Sequence, residues 1–208
     1  MQDISFWKTM ASKLNLDKSL IEKYKEEYNR TSCIFIPGLI PANVLVFLLK
    51  QLEQTSFEIK TEMDQEYKFG KVLFIPQESS VIFTFNMLFN DTDLFKSLQQ
   101  ITCCETIGNF NGRIHRSEDT DHEIDWHGDN ADNRLLAMTV SLGYDEYSGA
   151  KFQLRKKNEE HIMREFGQIK AGDAFIFKIA PELEHRLTPL LSGKRTVGVG
   201  WFRSNSSM

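Results

Sequence analysis

The second half of the chain is a succession of short apolar segments separated by turn residues, with no helical stretch between them. These segments predict eight strands, which cover residues 106–116, 123–129, 134–142, 151–155, 162–169, 174–178, 183–188 and 195–203. Gly149 and the pair Gly172 and Asp173 mark turns between them. So many strands without intervening helices predict a mostly β fold, a cupin-like double-stranded β-helix or jelly roll.

The first half of the chain predicts helices and a few strands around that core. Residues 1–31 have apolar residues at helical spacing, and Pro41 suits the first turn of a helix over residues 42–54. Further strands are predicted at 33–36, 57–60 and 67–75, a helix capped by Asp91 is predicted to run to about Ile101, and the apolar run 81–89 has no assignable period. We expect a single domain over residues 1–208, in which residues 1–55 form a helical support packed on one sheet and residues 105–203 form the jelly-roll core.

Composition indicates which binding partners and which cellular compartment to expect. A formal net charge of −4 and a pI near 5.8 argue against broad binding to nucleic acid or to anionic membranes. There is no run of 18 apolar residues that would span a membrane, and the first residues lack the basic start of a signal peptide. Three cysteines, an odd number, do not make a disulfide framework. We therefore expect a cytoplasmic protein.

His127, Asp129 and His185 are candidate metal ligands. If the chain is extended at His127 and Asp129, their side chains share one face and lie about 7 Å apart along the strand. A metal ion between them could accept His185 from a neighbouring strand. Two imidazoles and one carboxylate leave coordination positions open, which suits a non-haem Fe(II) oxygenase. A lone H-x-D motif occurs by chance, so the hypothesis depends on the segment that begins near His185.

The sequence around and after His185 carries a resemblance to a known family. It reads LEHRLTPL over residues 183–190 and, after a glycine turn, RTVGVGWF over residues 195–202. Together with H-x-D at 127–129, residues 105–203 resemble the Fe(II)/2-oxoglutarate-dependent dioxygenases, most closely the prolyl-4-hydroxylase-like branch. That family has the same order of H-x-D, a second His, an Arg or Lys at the spacing seen here, and Trp-Phe.

This resemblance implies a chemistry and a role for each motif residue. His127, Asp129 and His185 would be the catalytic Fe(II) ligands, with 2-oxoglutarate and O₂ as co-substrates. Arg195 would anchor the distal carboxylate of 2-oxoglutarate, because a guanidinium donates two parallel hydrogen bonds to a carboxylate and stays charged. Trp201 shares the strand face of Arg195 and would line the same interior. The implied reaction hydroxylates an unactivated C–H bond and releases succinate and CO₂; halogenases of the superfamily lack the carboxylate that this chain keeps.

The chain departs from the family where co-substrate binding is concerned. Many prolyl-hydroxylase-like enzymes have tyrosines where this chain has Ser117 and Ser141, and those tyrosines help to bind 2-oxoglutarate. Either the pocket is wider here, or Arg113 and His115, on the same strand face as Ser117, supply replacement donors. The family's Gly-Gly turn is also altered, to Ser-Gly-Ala at residues 148–150.

Other polar residues are weaker candidates. Arg134 matches a position that faces substrate in some relatives, and Asp125 shares the face of His127 on a regular strand, so both are candidate substrate residues. His122 and His161 lie in polar stretches and are expected to be exposed.

Several functions stay open at this point. The substrate of a hydroxylase of this kind would be an amino acid, a peptide or another small metabolite, or else a whole protein that the enzyme modifies. A different class of function is a cupin-like module that binds metal without turnover. A nucleic-acid demethylase is disfavoured because such enzymes have a second Arg where this chain has Trp201. The sequence does not determine the oligomeric state.

Overall fold

The helices and strands are seen in a computed structural model, which describes residue 14 and residues 16–61, 67–118, 122–131 and 133–205. Within these described residues, a 3₁₀ turn at Lys18–Leu20 precedes four α-helices: α1 (Ile21–Thr31), α2 (Ala42–Glu53), α3 (Ser80–Phe89) and α4 (Thr92–Thr102). The strands are β1 (Cys33–Ile36), β2 (Glu58–Thr61), β3 (Lys68–Phe69), β4 (Lys71–Phe74), β5 (Ile107–Ser117), β6 (Glu123–His127), β7 (Arg134–Ser141), β8 (Tyr147–Gly149), β9 (Phe152–Lys156), β10 (Ile162–Phe166), β11 (Ala174–Lys178), β12 (Leu183–Leu187), β13 (Leu190–Gly193) and β14 (Arg195–Ser204).

Two antiparallel sheets form the core. The larger sheet has seven strands in the order β1-β11-β7-β14-β5-β4-β2, and the smaller has five in the order β10-β9-β12-β6-β3. Strands β8 and β13 pair separately as a two-stranded ribbon. Strands that are distant in sequence are therefore neighbours in each sheet, as in a jelly roll. The predicted fold class is confirmed.

Aromatic side chains fill part of the space between the two sheets. The ring of Phe152 in β9 lies 4.5 Å from that of Phe175 and 4.8 Å from that of Phe177, both in β11. This cluster joins the smaller sheet to the larger one by burying apolar surface from both. Phe152 and Phe177 also border a cavity between the sheets.

The helices cover the outer face of the larger sheet, as predicted for the N-terminal ones. Tyr24 and Tyr28 of α1 and Val44 and Leu48 of α2 are buried in the same apolar cluster as Phe202 of β14. Among the described helices, none is long and apolar enough to cross a membrane. The part of the prediction that falls on residues 1–13 lies outside the described residues.

Helix α3 packs close to the larger sheet because the neighbouring strands β5 and β14 have glycines where they contact the helix. A Cβ atom at Gly198 would lie 2.4 Å from the ring of Phe85, and one at Gly112 would lie 2.7 Å from it. Phe85 is fully buried and its ring packs on those of Phe89 and Phe110. A larger residue at either glycine would therefore push the helix away from the sheet.

The structure corrects two expectations in the first half of the chain. The segment 67–75 is not one strand: Gly70, with φ of 92°, separates β3 from β4, and these strands join different sheets. The unassigned run 81–89 is helix α3, whose start is capped by the Ser79 hydroxyl accepting from the backbone N–H of Ile82. The apolar run has little helical periodicity because it is buried on most sides, although Phe83 is exposed.

Candidate metal centre and cavity

His127 and His185 stand opposite each other on neighbouring strands. They are direct cross-strand partners in the antiparallel pair β6 and β12, and their ring centroids are 4.2 Å apart. Residues directly opposite in such a pair have neighbouring side chains on one face of the sheet. The register of two strands therefore brings together imidazoles that are distant in sequence.

Asp129 reaches the two imidazoles from the loop after β6. Its Oδ2 atom lies 3.8 Å from Nε2 of His185. One ligand atom from each of His127, Asp129 and His185 lies within 4.8 Å of the others, and the described residues contain no other group of three or more such side chains. Two imidazoles and a carboxylate at this separation fit the donor set of a first-row divalent ion such as Fe(II).

Neighbouring groups orient each candidate ligand. The backbone carbonyl of Asp125 lies 2.8 Å from Nδ1 of His127; because a carbonyl only accepts, Nδ1 carries the proton and Nε2 keeps its lone pair for a metal. The Trp201 indole N–H donates to Oδ2 of Asp129 at 2.8 Å. The Arg134 guanidinium is 3.5 Å from Oδ1 of the same carboxylate.

The protonation states suit metal binding at neutral pH. Burial lowers the pKa of His127, although the hydrogen bond to the Asp125 carbonyl opposes the shift. Burial also lowers the pKa of His185, to about 3, and the neighbouring His127 adds to that effect. Burial tends to raise the pKa of Asp129, but His185 and the Trp201 hydrogen bond outweigh it and the pKa is lowered. Neutral imidazoles and an ionised carboxylate are the forms that bind metals.

A cavity of about 360 Å³ opens between the two sheets beside these residues. His127, Asp129 and His185 all line it, and so do Arg195 and Trp201 of β14. A space of this size holds a small organic molecule. The candidate ligands therefore face a chamber with room for further groups on the metal.

Arg195 is a buried cation in the wall of this cavity. The residue is 9% exposed, and its Nε atom has no hydrogen-bond partner among the described residues. Burial lowers the pKa of Arg195 from its usual value, whereas the nearby Tyr147 phenol, which hydrogen-bonds to it, opposes the shift. An arginine stays protonated in such surroundings. A buried guanidinium that faces a cavity is suited to binding a carboxylate.

Residues beside Arg195 form a polar end of the cavity. Ser117 is the β5 partner of Arg195, and its hydroxyl lies 3.0 Å from Nδ1 of His122. The prediction that His122 is exposed is wrong: it is 3% exposed and lines the cavity, where its ring lies against the Ser117 hydroxyl. His161 is exposed, as expected.

The remaining predicted site residues divide into two groups. Arg113, His115 and Arg134 line the cavity, so their side chains border the same chamber as the candidate ligands. Ser141 is buried on β7 opposite Val197 but is not among the described residues that line the cavity. The Asp125 side chain is exposed and does not line the cavity either. Asp125 contacts the candidate ligand His127 by its backbone carbonyl, which accepts from Nδ1 of that imidazole.

Two tyrosines of the site are not apparent from the sequence. The ring of Tyr67 stacks on that of His127, with centroids 4.5 Å apart and an angle of 12° between planes. Tyr147 reaches Arg195 from strand β8, which the sequence pattern does not predict. Neither tyrosine lies at a motif position, and only the packing of distant segments shows that they belong to the site.

Comparison with known proteins identifies solved structures with a similar fold. No protein-family model matches the sequence, and no curated protein matches it. Among solved structures, a Pseudomonas putida prolyl-4-hydroxylase is similar with a TM-score of 0.65 and 14% identity, over 89% of this chain and 100% of that one. A Burkholderia pseudomallei oxidoreductase of the 2OG-Fe(II) oxygenase family is similar with a TM-score of 0.69 and 13% identity, over 92% of this chain and 95% of that one.

A third similar structure is a prolyl hydroxylase from Trichoplax adhaerens, in complex with a peptide fragment of a hypoxia-inducible-factor oxygen degradation domain. It has a TM-score of 0.65 and 11% identity, over 98% of this chain and 94% of that one. The chain thus has the fold of the 2OG-Fe(II) oxygenases and prolyl hydroxylases, which confirms the resemblance seen in the sequence at the level of the fold.

Proposed function

We propose that the protein is an Fe(II)- and 2-oxoglutarate-dependent dioxygenase that hydroxylates an unactivated C–H bond. The observation that carries this proposal is the presence of His127, Asp129, His185 and Arg195 in the walls of one cavity. A metal site alone, without a buried cation such as Arg195 in the same cavity, would be compatible with many functions. A metal site that shares a small chamber with a buried guanidinium suits a co-substrate with a chelating end and a carboxylate end.

The residues of the chain divide the work of binding. His127, Asp129 and His185 would hold Fe(II), and Arg195, with Tyr147 beside it, would hold the distal carboxylate of 2-oxoglutarate. When bound, iron and 2-oxoglutarate supply the activation of O₂, with succinate and CO₂ as products. Ser117 and His115 are the candidates for polar contacts to the co-substrate in place of the family tyrosines. The aromatic cluster around Phe152 keeps water out of one side of the chamber.

The substrate is proposed to be a small molecule or a peptide. The fold of a peptide-bound prolyl hydroxylase, which this chain shares, supports the peptidyl alternative and the related case of a protein-modifying hydroxylase. Three free cysteines, one of them buried, support a reducing compartment such as the cytoplasm. We also propose that residues 1–208 form one domain, since helices α1 and α2 share a core with the larger sheet.

A cupin-like module that binds metal without turnover is the competing function. Arg195 disfavours it, because a buried cation and a divalent ion in the walls of one cavity repel each other unless an anion binds in that cavity. The experiment that separates the two is anaerobic loading with Fe(II) and 2-oxoglutarate, followed by oxygen and a substrate screen. A dioxygenase forms succinate and a product heavier by one oxygen atom, whereas a binding module forms neither.

A further inference from the structure

Tyr67 lies face to face with one of the candidate metal ligands. The centroid of its ring is 4.5 Å from that of the His127 imidazole, and the two ring planes make an angle of 12°. The ring of His185, by contrast, is tilted by 52° to that of His127. Nearly parallel rings at such a distance attract each other when one is offset over the other. Tyr67 therefore covers one face of a candidate ligand.

The backbone of Tyr67 is connected to the same ligand. The backbone N–H of Asp125 donates to the Tyr67 carbonyl at 2.7 Å. The Asp125 carbonyl in turn accepts from Nδ1 of His127 at 2.8 Å. The imidazole of His127 is thus held at its Nδ1 edge by Asp125 and on its face by the Tyr67 ring.

Strand pairing explains why Tyr67 lies at this place. Tyr67 directly precedes β3, a two-residue strand at the edge of the smaller sheet, and β3 pairs with β6. The antiparallel register sets Lys68 opposite Ile124. The residue before Lys68 therefore lies beside the residue after Ile124, which is Asp125. Strand β6 ends two residues later at His127, within reach of the Tyr67 ring.

The Tyr67 ring lies outside the apolar core of the described residues. It is half-buried, it lines the cavity, and it belongs to none of the three clusters of apolar side chains that the described residues form. Phe152 and Phe177 also line the cavity, but they are members of one of those clusters. The contribution of the Tyr67 ring is therefore at His127 rather than in the packing of the two sheets.

The plane of the His127 imidazole decides where its metal-binding lone pair points. The lone pair of Nε2 lies in the plane of the ring, so a metal–nitrogen bond is strongest when that plane contains the metal. The hydrogen bond from Nδ1 fixes the tautomer, and partners of this kind orient metal-binding histidines. A single hydrogen bond still allows the ring to tilt about the bond. A parallel ring against its face restricts this tilt.

We propose that Tyr67 is a positioning residue of the metal centre, whose ring fixes the plane of the His127 imidazole. In that plane, Nε2 of His127 faces the space that it shares with Asp129 and His185. The inference rests on the proposed function, because it concerns the metal ion that the proposed dioxygenase would hold. It gives a role in metal binding to a residue that lies far from both histidine motifs in the sequence.

The test compares metal binding by the intact chain and its Tyr67 variants. Tyr67→Phe keeps the aromatic face, whereas Tyr67→Leu and Tyr67→Met remove it and keep an apolar side chain. The matched control is Tyr144→Leu, which changes an exposed tyrosine that does not line the cavity. Calorimetry gives the Kd of Ni(II), which binds such ligands more tightly than Fe(II) does. The absorption spectrum of bound Co(II) reports the coordination geometry, which a loss of stability alone does not change.

Tyr67→Leu and Tyr67→Met should each raise the Kd of Ni(II) by about tenfold, since groups that orient a metal ligand commonly change the affinity by this factor or more. Both variants should also shift the absorption bands of Co(II). Tyr67→Phe and the Tyr144→Leu control should behave as the wild type in both measurements. Wild-type affinity and an unchanged Co(II) spectrum in Tyr67→Leu and Tyr67→Met would overturn the inference. A Tyr67→Phe protein that binds as weakly as Tyr67→Leu would also overturn it.

A His127→Ala background separates positioning from every other effect of Tyr67. Without an imidazole at residue 127, Tyr67 has no ring to orient. Tyr67→Leu should therefore leave the weaker Ni(II) affinity of His127→Ala unchanged, so the two substitutions are not additive. An equal loss of affinity on adding Tyr67→Leu to the wild type and to His127→Ala contradicts the positioning role.

Failure of the proposed function would look different. A wild-type protein that binds neither Ni(II), Co(II) nor Fe(II) refutes the metal centre, and the inference falls with it. A wild-type protein that binds these ions, shows the predicted Tyr67 effects and forms no succinate refutes the dioxygenase alone. That result supports the positioning role of Tyr67.

Discussion

The indole N–H of Trp201 donates a 2.8 Å hydrogen bond to the Asp129 carboxylate, and this bond ties strand β14 to the candidate metal centre. Asp129 lies in a loop, where a carboxylate has several orientations open to it. The hydrogen bond selects the orientation in which Oδ2 also faces Nε2 of His185, 3.8 Å away. Partners of this kind commonly change metal affinity by about 10- to 100-fold.

Replacing Trp201 by Phe tests this relationship. The substitution keeps an aromatic ring for Arg134 to stack on and removes the N–H donor, so we expect the Kd of Fe(II) to rise by about tenfold. Anaerobic calorimetry measures it. The control is Trp126→Phe, which changes a tryptophan that stacks on Arg155 and Arg186 instead. Equal Fe(II) affinities in the two variants would show that the hydrogen bond does not matter for the metal.

Arg195→Ala should weaken the binding of 2-oxoglutarate and leave that of Fe(II) nearly unchanged. Loss of charge-assisted hydrogen bonds costs about 1.5–3 kcal/mol each, which corresponds to a Kd higher by roughly tenfold to a hundredfold or more. The Kd of 2-oxoglutarate for Arg195→Lys should lie between the values for Arg195→Ala and the wild type. A lysine keeps the positive charge but cannot donate two parallel hydrogen bonds to a carboxylate. Titration of 2-oxoglutarate into the Fe(II) protein is the measurement, and an unaltered Kd in Arg195→Ala would move the anchor elsewhere.

The stability of the metal-free protein should decrease as the pH falls below about 6.5, partly because of His115. Burial, together with the neighbouring Arg113 and other cations, lowers the pKa of His115 well below its usual value of 6.5. A histidine whose pKa is lowered on folding takes up its proton more readily in the unfolded chain. The contribution of His115 to the free energy of unfolding is therefore complete above its pKa in the unfolded chain. That contribution is lost as the pH falls towards its pKa in the folded protein.

Urea unfolding at pH 7 and pH 5 measures this effect. His115 should account for up to about 2 kcal/mol of the difference in unfolding free energy, since the lower pH is about 1.5 units below the unfolded pKa. His115→Gln should reduce the difference by that amount. His161→Gln, which changes an exposed histidine, should retain the wild-type difference. Equal pH dependence in the two variants would contradict the assignment.

Gly198→Ala should destabilise the fold, because the added methyl group would meet the ring of Phe85 at 2.4 Å. Forcing atoms into a filled core typically costs about 1–3 kcal/mol. Thermal or urea unfolding gives the value. Gly167→Ala is the matched control, since nothing lies within 4 Å of a Cβ atom there. If Gly198→Ala were as stable as Gly167→Ala, the prediction would be wrong, and helix α3 would move to admit the methyl group with no loss of unfolding free energy.

The sequence predicts the fold where local pattern and long-range structure agree. Strand β11 is predicted at its observed residues, because its apolar run is short and ends at turn residues. Helix α3 has no assignable period in the sequence, since a segment buried on most sides has no polar face to mark it. Strands β3 and β4 resemble one strand in the sequence because a single glycine, Gly70, redirects the chain between two sheets.

The same distinction holds for the site. His127, Asp129, His185 and Arg195 are recognisable because each belongs to a motif with fixed spacing. Tyr147 contacts Arg195, and Lys68 lines the cavity, from segments with no motif, so their proximity to the site depends on how distant strands pack. The prediction for His122 is wrong because its polar neighbours in sequence suggest a surface loop, whereas Ser117 provides it with a buried partner.

Fe(II)-dependent conversion of 2-oxoglutarate to succinate, compared between the wild-type protein and Asp129→Ala, tests the central claim most directly. Each protein is loaded anaerobically, its Fe(II) affinity is recorded, and oxygen is then admitted. We expect the wild type to bind Fe(II) and form succinate, and Asp129→Ala to lose succinate formation and most of its Fe(II) affinity while it remains folded. Full succinate formation by Asp129→Ala, or none by an iron-loaded wild type at any 2-oxoglutarate concentration with the substrate panel present, would contradict the account.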